Sequence, residues 1–278
     1  MRPFNIRKIL LLLIALALFV PNFFTEKINP ELPYNGKEKF NPSLSRLSSI
    51  VLLEKYTDSI AQRRQIPIGS YAYAELLGAV VEERFYHGFS HFSPSQNWVA
   101  AFAGRLIKED YACIVEPDKI MQHPNAACSQ QAMVMMHVLR NKGMACRSLG
   151  FPHHYAIEVF ADNEWYFFDA NMEPPLTKGQ RALTCWQHNN DMLKQHYDKK
   201  QHRHLDFQFG NGLKAYIGGV NEKPAQRAAM FHAATAAMSK ILFLFPLLLI
   251  FFRPVPKLKL PFIPFAGKKR KPSFSLSA

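Results

Sequence analysis

Two apolar runs at opposite ends of the chain, each bordered by cations and by no acid, constrain everything that lies between them. The first, Ile9 to Val20, follows Arg2, Arg7 and Lys8 and continues past Pro21 and Asn22 into Phe23 and Phe24. A short greasy run behind a basic start reads as a secretory signal or an uncleaved anchor. Ala15 and Ala17 fall in the middle of the run and form no small-x-small cleavage site at its end, which favours the anchor. The second run, Ala233 to Phe252, approaches the roughly 20 residues that cross a bilayer and is followed by seven Lys and Arg residues. It reads as a stop-transfer helix. Lys240 and Pro246 interrupt it, and Lys240 keeps a buried or interfacial helix as the alternative.

Positive ends retained on the cytoplasmic side place both termini there and residues 25–232 across the membrane. In a bacterium this means an inner (plasma) membrane protein with a periplasmic domain. The expected organisation is a membrane segment at 1–24, a Pro-rich linker at 25–43, a folded domain at 44–232, a transmembrane helix at 233–252 and a basic cytoplasmic tail at 253–278. The net charge of +13 could suggest nucleic acid, but the two ends carry ten of those charges and leave only three for residues 25–252. A nucleic-acid domain concentrates charge on a folded face, so no nucleic-acid partner is expected. An apolar fraction of 48% with 20% charged residues excludes general disorder.

Within the domain, Leu44, Leu47, Val51 and the stretch to Ile60 repeat at helical spacing. So do Leu77, Val80 and Val81, and then Trp98, Phe102 and Leu106 behind Ser95 as a cap. The best-delimited helix follows, with Asn125 as N-cap and Gly143 as its stop. Cys128, Ala132, Met135, Met136 and Leu139 share its inward face. Cys128 thus sits in the first turn, where unpaired backbone N–H groups and the positive dipole end favour a thiolate.

Residues His154 to Phe160 and Trp165 to Asp169 read as two strands joined across Asp162 and Asn163. A two-residue turn makes Ala161 face Glu164 and His154 face Asn171, with Asp169 diagonally opposite His154 on the same side. A loop longer by one residue would separate the two. Cys128, His154 and Asp169 are the parts of a cysteine acyl-transfer site: nucleophile, proton carrier and the carboxylate that orients the imidazole. His153 is a rival to His154, but alternation turns it to the other face.

The order Cys, His, Asp resembles the transglutaminase-like superfamily. The resemblance runs from about Asp118 to Pro174. It comprises Cys128 on its helix, Ala145, Cys146 and Arg147, His154 with Glu158, and Trp165 with Asp169. Ala126 and Ala127 stand where a glycine often precedes the cysteine, and Ala156 where an aromatic often follows the histidine. The resemblance implies an α+β, papain-like or transglutaminase-like domain with helices packed on an antiparallel sheet. It also implies crosslinking, peptide cleavage or deamidation of a protein or peptide substrate.

The chemistry requires no cofactor. The oxyanion hole is expected to include the backbone N–H of Cys128, with Gln122, Trp98 and Trp165 as candidates for a further donor or a substrate-lining group. If Cys128 is free, at most one pair among Cys113, Cys146 and Cys185 can join. Cys185, His188, Asp191, His196, His202 and His204 lack paired zinc-finger spacing, so no metal is expected. A catalytically inactive version of the domain, serving as an envelope scaffold or binding protein, is the rival reading.

Overall fold

A computed structural model describes residues 6–29, 31–36, 38–185, 191–196, 202–210 and 215–251. The fold is α+β. Helices α1 (Ile6–Phe19), α2 (Ile50–Arg63), α3 (Tyr71–Arg84), α4 (Pro94–Leu106), α5 (Pro117–Ile120) and α6 (Cys128–Asn141) precede strands β1 (Cys146–Gly150), β2 (Tyr155–Ala161) and β3 (Glu164–Phe168). Then come α7 (Asp191–Lys194), α8 (His202–Phe209), β4 (Tyr216–Ile217), α9 (Gln226–Ile241) and α10 (Leu244–Phe251).

The four strands form an antiparallel sheet in the order β3-β2-β1-β4. Asp162 and Asn163 both take positive φ, 48° and 67°, as a tight hairpin turn demands, and Ala161 faces Glu164. One face of the sheet packs Ile157, Val159 and Phe168 against Leu53, Leu77, Met135 and Leu139 from α2, α3 and α6. The other packs Leu149, Ala156 and Phe167 against Leu176, Leu183, Leu205 and Phe209. Each large side chain removed from water in these layers contributes about 1.5–3 kcal/mol.

Helix α6 ends as its sequence directs. Gly143 has φ 73°, its N–H donates to Arg140 O, and the N–H of Met144 reaches Leu139 O. Its start differs from expectation. The N-cap is Ala127, because Asn125 runs beside Tyr86 and its Nδ2 donates to Phe89 O at 2.8 Å.

Helix α4 departs further. Its N-cap is Ser93, with Pro94 in the first turn and Gln96 Oε1 accepting the Ser93 N–H at 2.9 Å; Ser95 lies inside the helix. The buried side is Ala100, Ala101 and Gly104, while Phe102 and Leu106 are 39% and 77% exposed. The physical reason is close approach: a Cβ on Gly104 would lie 2.3 Å from that of Ala112, so only small residues fit the inner face. Val51 is exposed likewise, and Ile50 and Leu53 supply the inner face of α2.

The first apolar segment, Ile6–Phe23, is long and apolar enough to cross a membrane. The second expected span, 233–252, is not one straight helix. It is divided between α9 and α10, which meet at 46° and together reach the same length and apolarity. Thr235 and Ser239 of α9 are buried against α4. Asn97, which leaves helical geometry at φ −160°, donates to Thr235 Oγ1 at 2.9 Å and accepts from Ser239 Oγ at 3.1 Å. Lys240, the interrupting charge, donates to Ser95 O at 2.8 Å and Asn22 Oδ1 at 3.0 Å.

The segment 25–43 runs along the domain. Asn29 Nδ2 donates to Ala101 O at 3.0 Å, and the Asn41 N–H donates to Glu83 O at 2.7 Å. The basic tail at 253–278 lies outside the described residues.

Candidate active site

The tip of α6 is placed by neutral side-chain amides. Gln130, 1% exposed, uses all four of its hydrogen-bonding positions. Its Oε1 accepts from Ser90 N at 2.9 Å and Ala127 N at 3.1 Å, and its Nε2 donates to Ile114 O at 2.7 Å and Ser90 O at 3.1 Å. Gln131 Nε2 donates to Ala126 O at 2.8 Å. One layer further out, the buried guanidinium of Arg84 donates to Met121 O, His123 O, Leu47 O and Ser45 O, pinning the loop that leads into the helix.

Alanine at the N-cap has no side-chain oxygen to take a first-turn N–H. Among the described residues none accepts the N–H of Cys128 or Ser129. Cys128 itself is partly exposed and its thiol is free.

The hairpin brings the other two groups together. His154 Nε2 and Asp169 Oδ2 are 2.5 Å apart, and both side chains are fully buried. Asp169 Oδ1 accepts from the N–H groups of Asn171 and Met172, each at 3.1 Å, so its remaining oxygen is aimed at the ring. His154 Nδ1 is buried without a hydrogen-bond partner among the described residues, and Cys128 lies close enough to the ring to raise its proton affinity. Burial alone would strip the ring's charge. Asp169 and, after it, Cys128 overcome that penalty and raise the proton affinity of the ring well above that of a free imidazole. The Phe209 ring, 4.9 Å away, closes one side of the imidazole.

Other candidates lie elsewhere. His153 is exposed and stacks on Phe207 at 3.9 Å. The indole N–H of Trp98 donates to Ser239 O at 2.9 Å, so it belongs to the α4–α9 seam and is no oxyanion donor. Trp165 sits at the turn end of the hairpin under the Arg147 guanidinium, at 4.1 Å, while Arg147 pairs with Glu158 at 2.7 Å. Gln122 is exposed after α5, with no described contact to Cys128.

All four cysteines are free, and no group of three metal ligands occurs among the described residues. His188 falls outside the described residues, as do the side chains of His202 and His204.

Two hollows are lined by chain neighbours of His154 and Asp169, though by none of Cys128, His154 and Asp169 themselves. A groove of 410 Å³ beside Tyr155 is lined by Ser148, Tyr216, Gly218 and Arg227. A 580 Å³ cleft on the far side of Asp169 is lined by Asn171, Glu173, Glu75, Glu82 and Arg181. Glu173 and Arg181 carried no sequence signal, because their role depends on how the chain turns after β3.

No family model matches the chain, and no curated protein matches it. One solved structure, described as a TGase, aligns at 14% identity and a TM-score of 0.32, over 57% of this chain and 37% of the other. At that distance the functional reading stands on the side chains alone.

Proposed function

We propose that this chain is a membrane-anchored cysteine enzyme of transglutaminase-like design, acting on amide or ester carbonyls of a protein or peptide through a thioester. The observation that carries the proposal is the buried imidazole held by Asp169 at Nε2, with Nδ1 unpartnered among the described residues and Cys128 close enough to raise the ring's proton affinity.

His154 Nδ1 takes the thiol proton as Sγ bonds to the carbonyl carbon, and the Cys128 N–H receives the oxyanion. The tetrahedral species collapses with loss of the amine or alcohol, which leaves with the proton from Nδ1. Water, abundant outside the cytoplasm, then attacks the thioester. His154 accepts its proton, the C–S bond breaks, and the thiolate is regenerated beside the imidazolium. An amine in place of water gives transfer. Asp169 holds Nε2–H and so fixes the orientation of the ring.

Alkylation of the full chain with iodoacetamide at mildly acidic pH tests the reading. Cys128 labels ahead of Cys113, Cys146 and Cys185, and the preference disappears in His154→Ala. Four equally sluggish thiols would instead leave the domain as a binding scaffold.

A further inference from the structure

We infer that Glu173, held by Arg181, is a positioning residue that sets the direction from which Asp169 meets His154; the inference rests on the enzyme reading above. Asp169 is constrained from two sides. Its Oδ1 is fixed by the two N–H groups that follow it, and its own backbone N–H donates to Glu173 Oε2 at 2.7 Å. The other oxygen of Glu173 accepts from the Arg181 guanidinium.

Arg181 is itself over-determined. It donates to Phe167 O at 2.9 Å and to the Tyr71 hydroxyl at 2.7 Å, lies 4.7 Å over the Phe168 ring, and accepts the Phe167 N–H on its backbone carbonyl at 2.8 Å. Arg181 therefore clamps residues 167 and 168, and Glu173 clamps residue 169. Three consecutive positions leading to the Asp169 carboxyl are gripped by one ion pair.

Stability alone gives little reason for such a pair. Ionic partners drawn out of water are often replaceable by apolar side chains at no loss of fold stability, and what a retained pair contributes is geometry. Here the Asp169 carboxyl is the group whose geometry it controls. A misplacement of about 1 Å among reacting groups is worth about 100-fold in rate.

The charged surroundings are mixed. Arg181 and Asp169 face Glu173 directly, and Glu75 and Tyr71 reach Arg181 from α3. Burial pushes the Glu82 carboxyl up, against the pull of Lys39 at 2.9 Å and of the Glu173 N–H, and Glu38 and His196 line the same cleft. Burial pushes the Glu173 carboxyl up to about 7, against the pull of Arg181 and the Asp169 N–H, so charge at this position changes within the neutral range.

The test measures iodoacetamide labelling of Cys128 in the full-length protein in detergent, from pH 5.5 to 8.5, with exposed Cys185 as internal reference. The low-field proton resonance of the His154–Asp169 pair and the melting temperature are recorded on the same samples. Glu173→Gln, which keeps an acceptor for the Asp169 N–H but cannot gain the charge that Glu173 acquires as pH rises through about 7, is expected to slow Cys128 about tenfold at pH 8, to approach the wild type at pH 6 and to shift the low-field proton at the higher pH. Glu173→Ala is expected to slow it about 100-fold. If the alanine variant does not fold, the glutamine variant decides. Labelling of Glu173→Gln that follows the wild-type profile, or falls only with the folded fraction, overturns the positioning role while His154→Ala still abolishes the preference. Loss of any preference in the wild type overturns the enzyme reading itself.

Discussion

The two walls of the candidate site are built from opposite materials. On the α6 side, Cys128 is placed by Gln130, Gln131 and Asn125, neutral amides tied to backbone carbonyls and N–H groups, with Arg84 behind them donating only to carbonyls. On the hairpin side, His154 is placed by charges: Asp169 against the ring, then Glu173 with Arg181 behind. The first wall has no titratable group in its hydrogen-bond set that changes near neutral pH, whereas the second has Glu173, whose carboxyl burial pushes up to about 7. The nucleophile is thus held by a frame indifferent to pH, and the proton carrier by one that responds to it.

The largest effect that can break this comparison is on stability. Replacing Arg84 by Met leaves three buried carbonyls and one part-buried carbonyl without a donor, and denaturant unfolding should show a loss of about 3–5 kcal/mol. Because the loss lies on the neutral wall, it should be nearly constant between pH 6 and pH 8; a loss that varies steeply with pH over that range would contradict the division. Next comes His154→Ala, for which a reduction of about 100-fold in Cys128 labelling at mildly acidic pH, some 2.7 kcal/mol, is expected with the α6 wall intact.

Gln130→Leu sharpens the contrast. It strands the N–H groups of Ser90 and Ala127 and the Ile114 carbonyl, and calorimetry should register about 2–3 kcal/mol of destabilisation, with the pH profile of labelling in the folded protein unchanged.

The smallest effect is the pH dependence of stability itself. His154 binds its proton more tightly folded than unfolded, so the pair's contribution is complete below the unfolded value of about 6.5 and is lost as pH rises through the raised folded value. Melting temperatures should therefore fall on the alkaline side by a component that His154→Ala lacks. An identical alkaline slope in the variant would remove the ionic account of that wall.

Much of this arrangement was legible before any coordinates, and for local reasons. The Asp162–Asn163 pair dictates a two-residue turn, the turn dictates the register, and the register brings His154 and Asp169 to one face. Gly143 dictates the end of α6. What could not be read depends on distant partners. The stripe of Trp98, Phe102 and Leu106 has helical spacing, yet the inner face of α4 is its small-residue side because the segment around Ala112 approaches so closely. Trp98 is only a candidate for the site by sequence, and the fold commits its N–H to Ser239, 141 positions away in sequence. Periodicity reports which residues share a face, and it cannot report what that face meets. The apolar run at 233–252 shows the same limit: its composition suits a bilayer, while Thr235 and Ser239 are matched to Asn97.

Helix α1 packs against α10, and Phe19 at the end of α1 meets Phe243, in the bend between α9 and α10, with ring centroids 4.8 Å apart, so the two apolar segments join at one corner. Tension applied to those two helices is carried across that joint as across a clasp. The helix tip of α6 and the hairpin of β2 and β3 belong to other elements of the chain than that joint.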